Sequence, residues 1–140
     1  MITIERLVPA DSSRLWDLVS DVEHWDRMLP SVSEVTRIEG TGPVGVGDRF
    51  ELRQPGMPRA VYEITGWRPG RGFTWEASSP GIRTTASHEL TPQRGGTLVR
   101  LGVDWSGPFA PIARLVYRGK VHALVGLEAD TFTALVTSKA

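Results

Sequence analysis

The chain has 140 residues, 40% of them apolar, with 16 Lys+Arg balanced by 16 Asp+Glu and no cysteine. That length suits a single domain over 1–140 with a core large enough to need no staples, and the missing cysteines exclude disulfides, thiolate zinc sites, iron–sulfur clusters and a cysteine nucleophile. Zero net charge argues against a nucleic-acid partner, whose phosphates demand a cationic excess.

Residues 2–8 alternate well enough for a short strand, which Pro9 ends. Asp11 is placed to cap the next element, and Leu15, Leu18, Val19 and Val22 recur at helical spacing, so a helix is expected over about 12–21. Trp25, Met28 and Leu29 extend it as a second short turn that Pro30 closes. From 32 to 106, runs of eight to ten residues alternate with Gly/Pro clusters, the texture of strands joined by hairpins. Six strands are expected, at about 32–39, 47–54, 59–68, 72–79, 82–91 and 97–106.

Parity assigns their faces. Phe50, Leu52, Ala60, Tyr62, Ile64, Phe73, Trp75, Ala77, Ile82, Thr84, Ala86, His88, Leu90, Val99, Leu101, Val103 and Trp105 fall on one side. Most strand Arg and Glu fall on the other, while Val35 and Ile38 compete for the inside of the second strand. After Gly107-Pro108 the period becomes helical, and a helix of about 40 Å is expected over 111–137. Its apolar stripe is read as Ile112, Leu115, Val116, Ala123, Leu124, Leu127, Thr131, Ala134 and Leu135. Arg114, Arg118, Lys120, His122, Glu128 and Asp130 exclude a membrane span there. With no secretory leader and no asparagine to glycosylate, a cytoplasmic location is expected.

This order of elements resembles the helix-grip fold of the START-like (SRPBCC) superfamily. Val8-Pro9-Ala10 followed by Leu15-Trp16-Asp17-Leu18-Val19-Ser20-Asp21-Val22-Glu23-His24-Trp25 is similar to the opening of its bacterial polyketide cyclase/dehydrase branch. So are Val46-Gly47-Asp48, Phe73-Thr74-Trp75 and the long closing helix. The resemblance spans the chain and implies an α+β fold in which a seven-stranded, curved antiparallel sheet wraps around the C-terminal helix, with two short helices after the first strand. It also implies a cavity between sheet and helix. Gly119, Ala123 and Gly126 are consistent with such a gap, although small residues also permit a closer helix-to-sheet approach.

Few residues are candidates for chemistry. Gly40-Thr41-Gly42-Pro43-Val44-Gly45 spells a dinucleotide fingerprint but is followed by a strand, where a pyrophosphate would need a helix N-terminus, so it reads as a hairpin. His24, His88 and His122 have no metal-ligand spacing, and neither metal nor cofactor is expected. His24 reads as solvated, and Trp16 and Trp25 as packing between helix and sheet. His88 falls inside, either as a core histidine satisfied by Tyr62, Thr84 or a backbone carbonyl, or as a polar anchor or acid/base on a cavity wall. No inward carboxylate is visible, and Arg37 is the one inward cation in question. The basic start of the last helix is either a solvated face or an anion-attracting mouth.

The expected function is binding of a hydrophobic or aromatic small molecule, lipid- or polyketide-like. Its cavity would be lined by Tyr62, Trp75, Thr84, His88, Leu101, Val103, Ala123 and Leu127. The alternatives are a cyclase or dehydratase using His88 as acid/base, and an interaction protein with a collapsed cavity. The oligomeric state is open, a dimer being one option.

Overall fold

The computed structural model describes residues 1–137. It contains β1 (Ile2–Val8), α1 (Ser12–Val19), a 3-10 turn (Val22–His24) and α2 (Trp25–Met28). Then come β2 (Glu34–Glu39), β3 (Arg49–Arg53), β4 (Ala60–Arg68), β5 (Gly72–Ser79), β6 (Ile82–Gln93), β7 (Gly96–Ser106) and α3 (Ala110–Thr137). The strands form one antiparallel sheet in the order β1-β7-β6-β5-β4-β3-β2, and α3 packs against β1, β7, β6 and α1. This is the helix-grip architecture that the sequence implied.

Short turns dictate most of that order, because a two- to five-residue hairpin leaves consecutive strands no neighbour but each other. The one long-range pairing is β1 with β7, from Ile2 opposite Val103 to Val8 opposite Thr97. Glycine permits the tightest approaches: a Cβ on Gly72, whose φ is +142°, would collide with the His88 carbonyl, and one on Gly81 (φ +76°) with the Phe109 ring. Asp11 does precede α1, but its carboxylate makes no cap; its backbone carbonyl accepts from Arg14 and Leu15.

The parity reading holds on β3 to β7, where Phe50, Leu52, Ile64, Phe73, Trp75, Leu90, Val99, Leu101 and Trp105 are all buried. A bulge between Arg37 and Glu39 settles β2: Val35 is buried and Ile38 lies 46% exposed. Arg37, opposite Phe50 in the register and on the same face as Val35, does point to the sheet's inner side, but at the β2 edge and off the cavity wall. It donates to Glu23, Asp48 and the Gly42 carbonyl, and Asp48 also accepts from the Gly45 amide, so the glycine-rich segment is a pinned β2–β3 loop.

The rotation of α3 differs from the sequence reading. Its inner face is Ala110, Ala113, Val121, Leu124, Val125, Glu128, Ala129, Phe132 and Val136, about one residue out of phase with the expected stripe. Ile112, Leu115 and Val116 are more than half exposed, Ala123 faces outward, and Leu127 is 40% exposed. Three inward alanines let α3 approach the sheet closely, whereas the larger outward residues would hold it off.

Candidate functional site

A cavity of about 460 Å³ lies between the sheet and α3. Trp25, Leu52, Tyr62, Trp75, Leu101, Val103, Trp105 and Val125 make much of its wall apolar. Room is left by small side chains, Ala60, Ala77 and Ala86 from the sheet and Ala113 from the helix. Gly119 and Gly126 play no part in this, because neither lies on the cavity wall. Pro58, Arg59, Ser78 and Ser79 are both exposed and on the wall, so the mouth lies between the β3–β4 loop, the β5–β6 turn and the start of α3.

Six residues expected at the site meet on this wall: Tyr62, Trp75, Thr84, His88, Leu101 and Val103. Ala123 and Leu127 do not, because of the rotation of α3. Several wall residues escaped the sequence reading, Ala113, Tyr117, Val121 and Val125 among them, and two further omissions matter most. Trp25, taken there for packing alone, lines the cavity from α2, and Glu128 enters it from α3. The i+3/i+4 spacing from Val121, Leu124 and Val125 was the one available signal for Glu128, overridden by its charge.

The buried polar end of the cavity is built around His88. Its register opposite Phe73 on β5 and Leu101 on β7 points it inward from the middle of the sheet. The imidazole stacks on Phe73 with centroids 4.2 Å apart, and Trp25 and Trp75 flank it at 5.5 and 5.9 Å. Nδ1 lies 3.4 Å from the Phe73 carbonyl oxygen and Nε2 3.4 Å from Glu128 Oε1. His88 is 5% and Glu128 7% exposed, and Glu128 Oε1 has no hydrogen-bond partner among the described residues. The absence of an inward carboxylate, expected from the sequence, is therefore corrected.

Burial, reinforced by the Glu128 carboxylate, pushes the Tyr62 phenol up to about 12. A folded pKa above the usual value of about 10 means that Tyr62 contributes stability in full below that pH and loses it as pH rises through about 12. An absorbance titration of phenolate should show a late step near pH 12 that Tyr62→Phe removes. A late step surviving in the variant would contradict this electrostatic reading.

The other polar candidates lie elsewhere. His24 pairs with Asp21 at 2.6 Å on the surface, and His122 is exposed. Arg114 donates to the Trp105 carbonyl and Lys120 to that of Gly56, so two cations of the basic helix start tie α3 to neighbouring segments. Among the described residues no cluster of His, Asp and Glu could hold a metal, and no helix is long and apolar enough to cross a membrane.

A family model described as "Polyketide cyclase / dehydrase and lipid transport" matches residues 1–137. No curated protein matches in sequence. Among solved structures, protein MLL2253 from Mesorhizobium loti superposes with a TM-score of 0.74 at 18% identity, covering 99% of this chain and 98% of that one. Norcoclaurine synthase from Thalictrum flavum gives 0.76 at 15%, covering 99% and 86%. The di-domain ARO/CYC StfQ from the steffimycin biosynthetic pathway gives 0.77 at 14%, covering 96% of this chain and 49% of its own. At such identities the likeness establishes the fold alone.

Proposed function

This chain belongs to the polyketide cyclase/dehydrase and lipid transport family, and on that premise we propose that it works as one START-like domain holding a hydrophobic small molecule between sheet and α3. The observation that carries this is the cavity, apolar along most of its length and polar at the end where His88 and Glu128 meet. Its volume, about 460 Å³, lies within the range of roughly 300–1,000 Å³ usual for small-molecule sites. Burial of the ligand's apolar body supplies affinity, at about 25 cal/mol per Å² before the costs of association, and the polar end fixes its orientation. A second reading, proton transfer on the bound molecule, is favoured by one contact, the Glu128 carboxylate 3.4 Å from His88 Nε2.

Nile red, a neutral apolar dye, tests the binding reading. Titration should give a saturable rise in dye emission with matched quenching of tryptophan, and Ala86→Leu, which fills the cavity, should weaken both. A response that never saturates, or one untouched by Ala86→Leu in a protein of unchanged melting temperature, would refute it.

A further inference from the structure

The hydrogen-bonding capacity of the buried end is unbalanced. The Phe73 carbonyl can only accept, so the tautomer that this contact favours carries its one ring proton on Nδ1 and presents a lone pair at Nε2. Facing Nε2 at 3.4 Å is Glu128 Oε1, which as a carboxylate oxygen also only accepts, and which is buried without a hydrogen-bond partner among the described residues. Two acceptors thus converge on one point. The imidazole is held there by Phe73, Trp25 and Trp75, and the nearby Trp25 indole N–H already donates to the Leu18 carbonyl. A buried, unsatisfied carboxylate oxygen is costly, and that cost is relieved by a donor arriving with the ligand.

We propose that the cavity selects apolar molecules ending in a hydrogen-bond donor, a protonated amine or a hydroxyl, that docks between Glu128 Oε1 and His88 Nε2, and that it rejects molecules ending in a carboxylate. The proposal rests on the cavity being a ligand site. An ammonium group donates to both acceptors and neutralises the buried charge, whereas a hydroxyl donates to only one of them. A carboxylate brings a second anion and more lone pairs against Glu128 where little water screens them. Fatty acids entering head-first are therefore poor occupants, and apolar amines and alcohols good ones.

Three matched probes share one ring system and differ only at the end group: 9-(aminomethyl)anthracene, 9-(hydroxymethyl)anthracene and anthracene-9-carboxylate. Energy transfer from tryptophan reads their affinities. In the unmodified protein the amine should bind about tenfold or more tighter than the carboxylate, with the alcohol between them. Glu128→Gln, which puts an amide donor where an acceptor stood, should collapse that ratio by about tenfold or more, chiefly by admitting the carboxylate. A carboxylate probe binding as tightly as the amine, or a ratio unchanged in a folded Glu128→Gln, overturns the proposal while the cavity remains a ligand site. If none of the three saturates, the ligand-site reading falls and takes the proposal with it. Should Glu128→Gln fail to fold, the ratio in the unmodified protein decides.

Discussion

Trp25→Ala is expected to destabilise the fold by about 3–5 kcal/mol, the usual cost of truncating a large buried aromatic. The ring is 1% exposed and lies 5.4 to 6.0 Å, centroid to centroid, from Phe73, Trp75, His88 and Phe132. It thereby joins α2, the sheet and α3 in one aromatic cluster. Removal costs the transfer energy of the indole plus the contacts its neighbours lose to a void continuous with the cavity. Melting temperature should fall by roughly 10–15 °C. Trp25→Phe, which keeps an aromatic plate, should lose clearly less. A loss below about 1 kcal/mol for the alanine variant would mean that the cluster does not hold the helices to the sheet.

His88→Ala is expected to weaken binding of a ligand that docks at the polar end by about 1–3 kcal/mol, or roughly ten- to 150-fold. The substitution removes the ring held between Phe73 and Glu128 and leaves the ligand's polar atom with one partner fewer. His88→Gln keeps a donor and an acceptor and should recover much of that loss. If the His88–Glu128 pair instead transfers a proton, both variants should lower turnover by about 10²–10⁴-fold with little change in affinity, because glutamine exchanges no proton near neutral pH. A histidine that only fills space would lower the melting temperature and leave affinity and turnover unchanged per folded molecule. Affinity, turnover and melting temperature measured on the same two variants separate the three outcomes.

Much of the cavity's sheet wall was legible in the sequence. Strand alternation has a period of two, so a single well-placed residue such as Trp75 or Leu101 fixes the face of its whole strand. Tyr62, Thr84 and His88 followed from the same parity, with no knowledge of what they face. The helical wall was much less legible. Neighbouring positions on a helix are only about 100° apart, so a one-residue error leaves a plausible stripe that points the wrong way.

What the sequence determined by itself was the set of elements, the antiparallel succession of the hairpin-linked strands and the inner face of β3 to β7, because turn chemistry and alternation are local properties. The β1–β7 pairing and the face of β2 are not. Tertiary structure alone decided the rotation of α3 and with it the chemistry of the site. Hydropathy assigns a glutamate outward and Leu115 inward, since transfer energy is the one quantity that a sequence pattern reports. Packing reversed both: the small faces of Ala110, Ala113 and Ala129 fit against the sheet and its neighbouring elements, and that rotation carries Glu128 inside to His88 and leaves Leu115 86% exposed. The site exists because the close fit of the whole helix outweighs the cost of burying one carboxylate.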